Sequence, residues 1–151
     1  AKNEGFFELI SSRMIGIGLY SQRDALSILE QWEKRHERSL PTMQREWLFE
    51  NSGGHAGLAR ALFDLITESS QAASKLDNIE WFARQETVRE EVRKIWEGLS
   101  KEEQTALQQI KQQNEKSIPL SIRKQLHAKG LIKVVDSTPI FFSPLFAHSL
   151  K

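Results

Sequence analysis

The residues whose types and spacing could do chemistry lie in one stretch, Ser52-Gly53-Gly54-His55-Ala56-Gly57-Leu58-Ala59-Arg60. A glycine pair here ends one apolar-patterned segment and opens another. A helix that starts just after it presents bare backbone N–H groups, and with no Cβ in the way a phosphate can approach them. The same two glycines also serve as a plain tight turn, Gly53 in the left-handed position at a helix end and Gly54 turning the chain into the next helix. Other catalytic constellations are missing. His36, His55, His127 and His148 are scattered, with no two a helical turn apart as a helical zinc pair requires, and the chain has no cysteine for a thiolate site or a disulfide. Ser149 beside His148 lacks the strand-turn-helix setting of a nucleophile. Glu90-Glu91 and Glu102-Glu103 are neighbours, which point apart on a helix and read as solvated faces.

A second chemistry comes from charge. Net charge is +1, but residues 104–151 hold seven Lys and Arg against two acidic side chains. A basic end of this kind can meet an anionic partner such as DNA, and the side chains offered for it are Ser121, Arg123, Lys124, His127 and Lys133. Phosphate contacts would make such binding fall steeply with salt. Solvated lysines on helix faces account for the same pattern, and Gln125 is the only amide on that helix suited to reading a base edge.

The elements that must position these residues are mostly helical. At 151 residues, 39% hydrophobic and 27% charged, the chain is an ordinary globular protein with room for one full core or two small ones. Its apolar runs fall far short of a membrane span, and the amino end is not a secretory signal. Phe6, Phe7, Leu9 and Ile10 suggest the end of a helix, and Ile15–Tyr20 an edge strand or linker. Ser21 caps a helix to about Arg38 with Ala25, Ile28, Leu29 and Trp32 on one face. Thr42 caps the next, which carries Trp47 and Phe49 to the glycine pair. From His55 a helix runs through Leu65 and Ile66 to about Ala73, and Ser69-Ser70 with Lys75-Leu76-Asp77 reads as a loosening and turn. Asp77 or Asn78 caps a run of helical spacing to Glu97, ended by Gly98, and Ser100 with Glu103 forms a capping box for a helix over 101–113. Pro119 opens a helix that Gly130 stops; Leu131–Val135 and Ile140–Phe142 form a hairpin around Asp136-Ser137-Thr138; Pro144 opens a last short helix. The four tryptophans, Trp32, Trp47, Trp81 and Trp96, fall on apolar faces as core or contact residues. The fold class is therefore mainly α with a small β-hairpin, and helix, helix, ribbon is the order of a winged helix-turn-helix.

These residues resemble a family. Ser52–Leu58 is similar to the lid segment of AAA+ and especially STAND-type signalling ATPases, where a Gly-Gly-x-Pro turn opens the helix nearest the nucleotide. Ile95-Trp96-Glu97-Gly98-Leu99-Ser100-Lys101-Glu102-Glu103-Gln104, Lys129-Gly130-Leu131-Ile132 and Phe142-Ser143-Pro144-Leu145-Phe146 resemble the winged-helix module that follows the lid. The likeness spans about 14–151 and rests on the order and spacing of the motifs. It implies a helical lid-like domain over 1–77 and a winged-helix domain over 78–151.

The resemblance further implies an adenine nucleotide, ATP or ADP, lined by Gly53, Gly54, His55 and Ala56, with Arg60 near the arginine that many such lids offer to the terminal phosphate. Arg60 lies three residues past the best-matching position, and Ala56 stands where the family has proline. Immune-receptor STAND proteins place an ADP-sensing histidine after the wing hairpin; the matching position here is Ser143, with His148 a turn later. No Gly-x-x-x-x-Gly-Lys-Ser/Thr loop and no strand-end acid for Mg²⁺ occur, so this chain alone is not expected to hydrolyse ATP. With Ala1 in place of a Met, the expectation is a cytoplasmic regulatory piece of a longer protein, whose amino-terminal P-loop domain would hold nucleotide and Mg²⁺. The alternatives are a winged-helix DNA-binding module and a protein-docking module without a ligand.

Overall fold

Helix starts and stops along the chain are set by side-chain caps, and they decide how the elements pack. The computed structural model describes residues 21–150; the readings for Phe6–Ile10 and Ile15–Tyr20 lie outside them. Ser21 accepts the Asp24 N–H at 3.2 Å and opens α1 (Gln22–Arg35), with Asp24 in its first turn and Lys34 and Arg35 in its last, as the helix dipole favours. α1 stops short of Arg38 because Glu37 adopts a left-handed φ of 52° and the Arg38 N–H turns back to the Glu33 carbonyl at 2.9 Å, while His36 Nδ1 donates to the Trp32 carbonyl. Buried Glu33 fixes the link to the next helix by accepting from the Leu40 N–H and from Arg45 Nη2. In α2 (Thr42–Ser52), Pro41 and not Thr42 holds the cap position.

After the glycine pair comes α3 (Ala56–Glu68), which buries Leu58, Leu62, Phe63 and Ile66. It ends five residues before Ala73: Ser69 is extended at φ −132°, ψ 118°, and its hydroxyl caps α4 (Ser70–Ala73). The run expected as one helix to Glu97 is likewise two. Asn78 caps α5 (Ile79–Ala83), Gln85 breaks the path at ψ 136° while its side chain donates to the Trp81 carbonyl, and α6 (Glu86–Glu97) follows. Continuous apolar spacing hid this kink, since both pieces present the same face inward.

Ser100 and Glu103 form the reciprocal capping box of α7 (Lys101–Lys111). A 3₁₀ turn (Glu115–Ser117) leads to α8 (Leu120–Ala128), ended by Gly130 at φ 78°. β1 (Ile132–Val135) and β2 (Thr138–Phe141) pair antiparallel with Ile132 opposite Phe141 and Val135 opposite Thr138. Asp136 and Ser137, both at positive φ, make the two-residue loop. Pro144 begins α9 (Pro144–Ser149), capped by the Ser143 hydroxyl.

The molecule is mainly helical, with a small two-stranded antiparallel sheet near the carboxyl end. α9 packs on α2, α5 and α6, and α3 packs on α2 and α6. A single cluster of buried apolar side chains consequently runs from Leu29 to Leu150, across the 77/78 boundary. The Trp47 ring lies 4.6 Å from that of Phe82 and its Nε1 donates to the Leu76 carbonyl at 2.7 Å. All four tryptophans pack against this cluster, each partly buried. No helix among the described residues is long and apolar enough to cross a membrane.

Candidate functional site

The elbow is a left-handed pair, Gly53 at φ 61° and Gly54 at φ 82°, where side chains are strained. Its backbone donors are largely spoken for. Gly53 N–H donates to the Phe49 carbonyl at 2.9 Å, Gly54 N–H to Ser52 Oγ at 3.3 Å and His55 N–H to the Ser52 carbonyl at 3.0 Å. The Leu58 N–H goes to His55 Nδ1 at 3.1 Å, so the imidazole itself caps α3. The amides of Ala56 and Gly57 have no such acceptor among the described residues.

The segment that follows the hairpin folds back onto this elbow. Phe142 covers Gly53 so closely that a Cβ there would meet its carbonyl and ring. Ser143, fully buried, donates from Oγ to the Asn51 carbonyl and accepts from the Phe146 N–H at 3.0 Å. The Phe142 ring stands 6.5 Å from the His55 ring and 5.2 Å from that of Phe146. Residues 92 positions apart are thus joined through one hydroxyl.

On the other side of the elbow, His55 lines an open cleft of about 380 Å³ with Glu91, Lys94 and Lys129. Burial pushes the His55 pKa down to about 4, against a smaller upward pull from the Glu91 carboxylate. The imidazole is therefore neutral at physiological pH, and with Nδ1 accepting, Nε2 carries the proton. Glu91, paired with Lys94 at 3.2 Å, sits against Gly57, where a Cβ would strike its carboxylate. That corrects its reading as a solvated acid: Glu90 is exposed, but Glu91 turns to the start of α3 and places a negative charge where the helix dipole favours one. A phosphate finds this approach already taken by a like charge. Lys129 reaches the cleft edge with Nζ 2.7 Å from Glu103 Oε2. Burial raises the Glu103 pKa, but the hydrogen bonds from Lys129 and Ser100 and the lysine charge outweigh it and hold the carboxyl below its usual range.

The structure gives the other expected site residues different surroundings. Gly54, Ser52 and Ala59 border a second, mainly apolar groove of about 460 Å³ between α1 and α2, and Ala56 packs on Ile28. Arg60 turns away to α1: its Nε donates to Asp64 at 3.1 Å and its guanidinium lies 5.3 Å from the Trp32 ring centre and 6.0 Å from that of Phe63. Ser121, Lys124 and His127 are exposed on α8, Arg123 is partly buried there, and Lys133 is exposed on β1. His148 is exposed on α9. The gathering of His55, the Glu91–Lys94 pair and Lys129 carries no local signal, since the start of α3, α6 and the end of α8 bring them together. Among the described residues no group of three or more His, Cys, Asp or Glu is placed to hold a metal ion. No family model matches the chain, and no curated protein or solved structure does either.

Proposed function

We propose that this chain is the regulatory lid and winged helix of a STAND-type or other AAA+ ATPase. It would close over ATP or ADP held, with Mg²⁺, by a P-loop domain of the same protein, and relay the nucleotide's state by moving as a unit. The observation that carries the reading is the seating of Phe142-Ser143 on the Gly53-Gly54 elbow. Two of the segments whose resemblance suggested the family, far apart in sequence, meet at this joint. A nucleotide at the elbow would therefore bear on the hairpin end through a single packed joint, and differential contacts of ATP and ADP there would bias its hinge.

The elbow's chemistry suits the base and ribose end of a nucleotide. The Ala56 and Gly57 amides and the neutral His55 Nε2–H are donors for ring nitrogens and hydroxyls, while Glu91 repels phosphate. In this reading phosphate and metal are left to the P-loop domain, and Arg60, held by Asp64, takes no part.

The test is amide hydrogen exchange on the full-length polypeptide with and without saturating ADP. Its upstream residues are expected to include a phosphate loop, and ADP to slow exchange in 53–58 and 142–146 together. An upstream sequence without that loop, or ADP binding that leaves both segments unchanged, overturns the reading.

A further inference from the structure

A second open cleft lies away from the elbow, on α6. It measures about 630 Å³, runs between α5–α6 and α7–α9, and is lined by Arg84, Arg89, Arg93, Trp96, Glu80 and His148 among others. Arg89 and Arg93 are one helical turn apart on α6, so two like charges face the same space, an arrangement that is unfavourable with nothing between them. Arg84 joins them from the end of α5. Arg84 is paired with Glu80 at 2.6 Å and Arg93 with Glu90, both pairs exposed and hence weak, while the Arg89 guanidinium has no acceptor among the described residues. Among the described residues Glu80 is the one carboxylate on the lining against three guanidiniums, with Glu90 beside it on Arg93.

We propose that this cleft binds single-stranded nucleic acid, with Arg84, Arg89 and Arg93 on successive phosphates and a base stacked against Trp96. Guanidinium forks match phosphate and carboxylate equally well, so charge alone would also admit an acidic peptide. Trp96 decides between them: arginines tracking a backbone beside an aromatic platform are the composition that single strands need, and an acidic peptide has no use for the ring. A recess also suits a strand with unstacked bases better than a duplex, whose bases are stacked on each other. This surface shares no lining residue with the elbow or with α8, so the inference depends neither on the proposed nucleotide switch nor on the α8 side chains offered for DNA.

The experiment is fluorescence anisotropy of the 151-residue chain with a labelled fifteen-nucleotide oligo(dT) at 50 and 200 mM salt, together with tryptophan emission. Three phosphate contacts predict a log–log salt slope of about −2. The variant R89A/R93A, its fold checked by circular dichroism, is expected to bind about tenfold or more weakly with a slope reduced by about 1.4. The oligonucleotide should quench emission of the wild type and not of Trp96→Phe. Absence of binding at micromolar protein in 50 mM salt, unchanged binding by R89A/R93A, or equal displacement by polyglutamate at matched charge overturns the proposal.

Discussion

His55 does two things at once: its Nδ1 closes the start of α3, and its burial requires the ring to stay neutral. Its folded-state pKa near 4 lies below the usual 6.5, so between those values the unfolded chain binds more protons than the folded one. Stability from this group is therefore full above about pH 6.5, declines as pH falls through the window, and is lost below about 4; the shift is worth about 3 kcal/mol at most. His55→Asn keeps a good capping side chain and removes the titration. Urea midpoints should then be nearly flat between pH 6.5 and 4.5 for the variant and fall for the wild type, and parallel curves would refute the account. The sequence pointed to His55 by its place after two glycines, which is local information. Glu91 was not legible as its neighbour. Its contact depends on α6 crossing the start of α3, which no spacing along the chain encodes.

Among the elements, those with a local stop or start were legible and those broken by tertiary packing were not. Gly53, Ser100 with Glu103, Pro119, Gly130 and Pro144 mark ends that the structure keeps, because each supplies a φ value or a capping group whatever surrounds it. The break at Ser69 has a local mark, since Ser69-Ser70 is a polar loosening and the Ser69 hydroxyl caps α4, whereas the break at Gln85 lies inside continuous apolar spacing and is explained by the packing of both pieces on one core. The hairpin is the clearest case of local chemistry left short of its optimum. Asp136 at φ 51° and Ser137 at φ 65° adopt the left-handed conformations of a two-residue type I′ loop, for which Asn-Gly is preferred. D136N/S137G should raise stability by about 1 kcal/mol, seen as a higher urea midpoint with an unchanged slope. A loss of stability would mean that the Asp136 or Ser137 side chain does something that the turn alone does not require.

At the scale of the whole molecule, the question is whether a lid-like part and a hairpin-ended part fold separately or as one body. The buried cluster is continuous from α1 to α9, and Phe142 stands at its seam, packed on Gly53, near His55 and against Phe146. Removing that ring leaves a cavity under the elbow as well as under α9, so Phe142→Ala should cost about 3–5 kcal/mol. If the two parts share one core, this loss appears everywhere: far-ultraviolet circular dichroism and tryptophan fluorescence shift together in a single transition, and amide exchange in α3 accelerates along with that in α9. If they are independent, α3 keeps its protection while α9 loses its own, and unfolding separates into two steps. The distinction matters for a relay, since a body with one core passes a change at the elbow to the hairpin as rigid displacement, whereas two cores would let the joint absorb it.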